Sequence, residues 1–171
     1  MRPMETEYPP YYKQYINEVE GDDIIWVLEN QLNDFRELVS TISEDKKTYS
    51  YAKGKWTIAE LLGHVIDSER IFAFRALCFA RNDPNPLPGF EQDDYIKYSN
   101  FNNRSIRSFI DEFTYLRKSN NILFGNFGEE TFHRKGTANN KQVTVNALLF
   151  IIAGHFNHHM TFLKERYLGY L

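Results

Sequence analysis

The sequence predicts an all-α protein, a four-helix bundle, and three observations carry that expectation. Four stretches of about 20 residues each place apolar residues at three- and four-residue spacing, the period of an amphipathic helix. No stretch shows the convincing period-two alternation of a half-buried strand. The six prolines fall in two clusters, Pro3, Pro9 and Pro10, then Pro84, Pro86 and Pro88. Nothing from Tyr11 to Asp83 or from Gly89 onward is forced out of a helix by proline.

The first long helix is expected over about Asp22 to Ile42, with Asp22 or Asp23 as cap and Ile25, Leu28, Leu32, Phe35 and Val39 as its stripe. Upstream, Tyr11 to Val19 reads as a short helix lying across the bundle. The second helix has the strongest start signal. Thr57-Ile58-Ala59-Glu60 is a capping box, in which Thr57 and Glu60 satisfy each other's backbone N–H groups. It continues to about Arg81, where Asn82-Asp83-Pro84 stops it. The loop to Glu91 is expected to be ordered by its own apolar residues, Leu87 and Phe90. The third helix is expected over Asn102 to Phe124, followed by a glycine-bearing loop with Gly125, Gly128 and Gly136. The fourth spans Thr144 to Tyr167.

Length and charge bound the rest. The 171 residues suit one domain, 1–171, with residues 1–20 an N-terminal extension packed on the bundle. A formal net charge of -3 and the lack of a basic tract give no support for nucleic-acid binding. No apolar run approaches the roughly 20 residues of a membrane span, and Met1 to Pro10 lacks the pattern of a signal peptide. Cys78 is the single cysteine, so no intrachain disulfide can form, which fits a reducing cytoplasm. Its apolar neighbours make it an inert thiol. Neither a phosphate-binding loop nor a nucleophile elbow is present.

The fourth helix carries the pattern that needs a chemical explanation. Its seam runs Leu148, Ile152, His155, His159, Phe162, so two histidines stand where large apolar residues are expected. Residues four apart on a helix are offset by only about 40° and rise about 6 Å, so both imidazoles can face one point. His64, on the second helix beside Leu61, Ser68 and Ile71, offers a third nitrogen. Gly63 before it leaves room for another backbone to approach. Three imidazoles and an open position describe a catalytic metal site, whereas single core histidines are usually hydrogen-bonded and structural. His158 lies about 100° from His159 and could instead pair with His155; His133 reads as solvated. Asp67 is either an acceptor for an imidazole N–H or an ion-pair partner of Arg70. Arg75 is either structural or a substrate anchor. Trp56 reads as a staple-like contact at the helix start, and Glu91, Asp93 and Asp94 as a solvated loop.

Lys55 to Arg70, with Phe74-Arg75-Ala76-Leu77, Ala80-Arg81 and Leu87-Pro88-Gly89-Phe90, resembles the second helix and following loop of the DinB/YfiT-like superfamily. Ala153-Gly154-His155, His158-His159 and Leu163 to Tyr167 resemble its closing helix. The resemblance covers about Tyr11 to Leu168. It implies an up-down-down-up four-helix bundle, often a homodimer. It implies a divalent metal, commonly nickel or zinc, whose ligands fall on His64, His155 and His159. Some members use low-molecular-weight thiols as cosubstrates and others are described as metal-dependent hydrolases. The expectation is therefore a metal-dependent enzyme, a hydrolase or a thiol-dependent S-transferase, acting on a small molecule, with Asp67 a catalytic candidate near the metal shell. The alternative is a non-catalytic, metal-binding dimeric interaction module. The fold does not choose between them.

Overall fold

In the computed structural model, residues 1–170 are described, with the side chain of Tyr170 excepted. Leu171, the last residue of the expected domain, lies outside them.

Four long helices dominate: α2 (Ile24–Ser40), α3 (Ile58–Ala80), α5 (Ile106–Gly125) and α7 (Val145–Phe162). Three short ones join them: α1 (Lys13–Asn17), α4 (Gln92–Lys97) and α6 (Glu129–Phe132). Both α2 and α3 pack on α5 and on α7, so α2 faces α3, and α5 faces α7, diagonally across the bundle.

The starts of the helices follow the sequence signals. Asp23 caps α2 by accepting from the Trp26 N–H. The expected capping box opens α3: the Glu60 N–H donates to Thr57 Oγ1 at 3.1 Å, and the Thr57 N–H donates to Glu60 Oε2 at 2.8 Å. Asn102 locks this box from outside, accepting from the Thr57 hydroxyl and donating to Glu60 Oε1. A single 3-10 turn, Phe101–Asn103, holds Asn102 there and delays α5 to Ile106, with Ser105 as cap. The last turn of α7 widens into a π-helical turn over Leu163–Tyr167.

Two features correct the sequence expectations. The glycine-bearing segment before α7 is partly a hairpin, β1 (Lys135–Ala138) with β2 (Lys141–Thr144), antiparallel with Lys135 opposite Thr144. Asn139 and Asn140, at φ 50° and 58°, form its two-residue turn. Positive φ at both central positions is what a tight hairpin of this twist requires, and asparagine tolerates it. The acidic stretch taken for a loop begins the short helix α4. Leu87 is ordered by pairing rather than by apolar contact alone. Its N–H donates to Thr137 O and its carbonyl accepts from the Asn139 N–H, which docks the α3–α4 loop on the hairpin.

The apolar core is split in two. One cluster gathers Ile16, Leu28, Phe72, Phe79, Phe124 and Ile152; the other gathers Phe35, Leu62, Ile66, Phe113, Phe156 and Met160. Between them, every long helix contributes buried polar groups: Gln31 from α2; His64, Ser68 and Glu69 from α3; Arg117 and Asn120 from α5; His155 from α7. Arg117, fully buried, holds Glu69 through two hydrogen bonds of 2.8 and 2.7 Å. Its third nitrogen donates to Leu28 O and Gln31 Oε1. Gln31 passes the chain on, donating to Ala153 O and Asn157 Oδ1 on α7. Buried charge is tolerated only when paired and hydrogen-bonded, and here both conditions are met. The network fixes α7 on either side of His155.

Candidate metal centre

The three seam histidines meet. His155 Nε2 lies 3.1 Å from His64 Nε2 and 3.1 Å from His159 Nε2. The helix spacing of four brings His155 and His159 together, and the packing of α3 on α7 brings His64 to them. His64 and His155 are buried and His159 is half-buried. Glycine permits the approaches on both helices. A Cβ on Gly63 would stand 2.4 Å from the Phe101 ring, so the close neighbour here is a side chain rather than the backbone expected from the sequence. A Cβ on Gly154 would stand 1.9 Å from Tyr15 O, so α1 crosses α7 in backbone contact beside His155.

Burial dominates the titration of all three. It pulls His64 down to about 4, against a smaller upward pull from Asp93. Burial takes His155 and His159 well below the ordinary imidazole value, and the neighbouring imidazoles add to it. All three are therefore neutral at pH 7, the form in which an imidazole is a metal ligand.

The donor set fits a divalent ion. A tetrahedral ion with nitrogen ligands at about 2.0–2.1 Å spaces those ligands roughly 3.3 Å apart, close to the two distances found. Hydrogen bonds among the imidazoles satisfy the cluster poorly, because one His155 nitrogen faces two others. His159 Nδ1 is buried without a hydrogen-bond partner among the described residues. Ser68 Oγ, 3.5 Å from His64 Nδ1, is placed to accept the proton of the tautomer that leaves Nε2 free. These three histidines also form the one group of metal-ligating side chains found among the described residues.

Two cavities reach the cluster. One, about 290 Å³, is lined by Tyr12, Tyr15, His64, Phe72, Arg75 and His155 among others. The other, about 340 Å³, is lined by Tyr51, Lys55, Trp56, His158, His159 and Tyr167 among others. Asp93 is the residue common to both. Nothing in its acidic run singles it out by pattern; its position depends on how α4 folds back over α3.

The other residues sort as follows. Asp67 lies 3.8 Å from Arg70 and lines a separate hollow with Tyr98, Phe101 and Arg104; it makes no hydrogen bond to the histidines among the described residues. Burial raises its carboxyl pKa. Arg70 also pairs with Glu112 at 2.6 Å. His158 turns outward, with Nδ1 3.2 Å from Glu18 Oε1. His133 is exposed. Trp56 packs against the histidine cluster, its ring 4.8 Å from that of His64 and tilted 49° to it, and its carbonyl accepts from the Tyr167 hydroxyl. Burial raises the Cys78 thiol, which keeps it protonated and unreactive.

Comparison with known proteins bears on the fold and the family. No curated protein sequence matches the chain. Among solved structures, YfiT from Bacillus subtilis, a probable metal-dependent hydrolase with an unusual four-helix bundle topology, superposes with a TM-score of 0.73 at 15% identity. That match covers 96% of this chain and 90% of YfiT. A mycothiol-dependent maleylpyruvate isomerase superposes with a TM-score of 0.68 at 11% identity, over 85% of this chain and 61% of the isomerase. At these identities the likeness shows the fold alone, and it is the four-helix bundle expected from the sequence. Residues 28–163, which include all three histidines, match the family model itself, and the chain belongs to the DinB superfamily.

Proposed function

We propose that the chain is a metal-dependent enzyme, in which His64, His155 and His159 hold a divalent ion, nickel or zinc, and a small-molecule substrate enters beside them. The observation that carries this is the meeting of three neutral imidazoles, two buried and one half-buried, at the junction of two cavities. An ion held by these three imidazoles would supply Lewis acidity that makes a water or thiol nucleophile easier to deprotonate. The protein's own groups do the rest. Asp93, shared by both cavities, is the carboxylate positioned to take the proton released when the nucleophile is activated. Trp56 and Phe72 flank the imidazoles with apolar rings. Ser68 and the Gln31 bridge to α7 orient the ligands.

Two readings of the nucleophile remain, and one observation favours each. The hydrolytic reading draws on the carboxylate of Asp93 beside an open position. The thiol-transfer reading draws on the pair of cavities, which would seat a low-molecular-weight thiol and an electrophile separately. A closed site would support a non-catalytic module instead, and the two cavities argue against that.

The test is turnover by zinc- or nickel-loaded protein across ester, amide and electrophile panels, with and without added thiol. Thiol-dependent loss of an electrophile indicates transfer, and turnover without thiol indicates hydrolysis. Flat progress curves under every condition would count against an enzyme.

A further inference from the structure

Arg75 is buried, at 4% exposure, yet it has no acidic partner among the described residues. Every other buried charge among the described residues is matched: Arg117 is paired with Glu69. The Arg75 guanidinium donates from Nη2 to the Pro88 carbonyl at 2.8 Å and lies beside the Tyr12 hydroxyl, a neutral neighbour that does not cancel its charge. The rings of Phe72 and Phe90 lie 5.7 and 5.9 Å from its central carbon. Burial pulls its pKa down, with Tyr12 and Tyr95 pulling the other way, and an arginine so placed remains charged at neutral pH. An uncompensated buried charge is costly unless something neutralises it.

That charge lines the 290 Å³ cavity that also exposes His64 and His155. Glu91 and Asp93 line the same cavity, but both are exposed to solvent, where water screens them. Tyr12 completes the cationic end. Its side chain interacts with the guanidinium, although burial sets the direction of its own shift, which is upward. Phe72 bridges the two ends: its ring lies 5.8 Å from that of His155.

We propose that this cavity binds the carboxylate of a small organic acid, with Arg75 as its counter-charge and Tyr12 as a hydroxyl donor, and the apolar body lying along Phe72 toward the three histidines. A carboxylate suits the site better than a phosphate. One guanidinium and one phenol supply few donors, and the surrounding rings suit an apolar body. This inference rests on the proposal that the histidine centre is where chemistry occurs, and it specifies the substrate class for that centre.

The experiment is a calorimetric titration of the full-length protein, zinc-loaded and metal-free, with 3-phenylpropionate, 3-phenylpropionamide and inorganic phosphate. Metal content is measured on the same samples. The expected result is that the carboxylate binds at least ten-fold more tightly than the amide or phosphate in both forms. Arg75→Met is expected to lose at least ten-fold in carboxylate affinity while holding as much metal as the wild type. Tyr12→Phe is expected to lose a few-fold, which keeps the proposal testable if Arg75→Met fails to fold. Equal affinity for carboxylate and amide in the wild type would overturn it. So would a folded Arg75→Met protein that binds the carboxylate normally, since Arg75 would then serve only to hold the loop at Pro88. Phosphate binding ahead of the carboxylate would overturn the choice of ligand class. A wild type that takes up no metal but still prefers the carboxylate would refute the metal proposal and leave the anion site standing.

Discussion

His64 and His155 are 91 residues apart in the chain, yet their Nε2 atoms are 3.1 Å apart between α3 and α7. Such an approach of two neutral imidazoles in a buried layer requires both helices to be held in azimuth and height.

Gly154 is where α1 rests on α7. A methyl group there would meet Tyr15 O at 1.9 Å, and a backbone carbonyl cannot turn aside as a side chain can. Gly154→Ala is expected to push α1 away and cost about 1–3 kcal/mol. Hydrogen exchange should then show lost protection at residues 13–17, with α5 unaffected. Unchanged protection there would show that the contact has more slack than this geometry allows.

The Arg117–Glu69 pair is the centre of the polar layer. Arg117→Met leaves the Glu69 carboxylate buried with only Asn120 as a donor, and is expected to cost about 3–5 kcal/mol in urea denaturation. Replacing both, Arg117→Met with Glu69→Leu, removes the stranded charge and is expected to cost less than the single change. A double variant as unstable as the single would mean that the network does more than neutralise its own charges.

Much of this arrangement was legible in the sequence, for identifiable reasons. Thr57 and Glu60 announced the start of α3, because a capping box is a local device whose partners are three residues apart. His155 and His159 stood out because they break an apolar seam at helical spacing. The hairpin was missed although Asn139-Asn140 is a turn signal; its four-residue strands are too short for alternation to show. Asp93 and Arg75 could not be sorted from their charged neighbours, since what distinguishes them is the cavity they line. That cavity is made by α1, α3 and the α3–α4 loop, and such tertiary contacts leave no periodicity. Arg117 likewise sits on the buried face of α5 near Phe113 and Phe124, and its partner lies on another helix.

Acid should act through the histidines. Burial holds His64 at about 4 in the folded chain, against 6.5 as its ordinary value. Between those values the unfolded chain binds more protons than the folded one, so metal-free protein loses stability as pH falls from 6.5 toward 4. The His64 contribution alone is on the order of 3 kcal/mol. His155 and His159 are shifted in the same direction and deepen the effect. Urea midpoints of chelator-treated protein at pH 7 and pH 5 measure this, and His64→Gln is expected to flatten the dependence. A wild-type midpoint independent of pH would contradict the buried, neutral cluster.

Asp67 and Asp93 should separate. Asp67 lies 3.8 Å from Arg70 and its charge is disfavoured by burial, so Asp67→Asn is expected to leave metal content, turnover and stability essentially unchanged. Asp93 lines both cavities, so Asp93→Asn is expected to retain metal while lowering turnover by about 10²–10⁴-fold if it takes the proton. Loss of activity in Asp67→Asn with Asp93→Asn fully active would reverse the two assignments.

The three-histidine metal centre is tested most directly by metal content of the purified protein by mass spectrometry, beside the His64→Ala, His155→Ala and His159→Ala variants singly and combined. About one divalent ion per wild-type chain is expected, with a marked loss in each single variant and none in the triple variant. A wild type that takes up no ion after incubation with zinc and nickel salts would contradict it, and would make the three histidines a purely structural layer of the core.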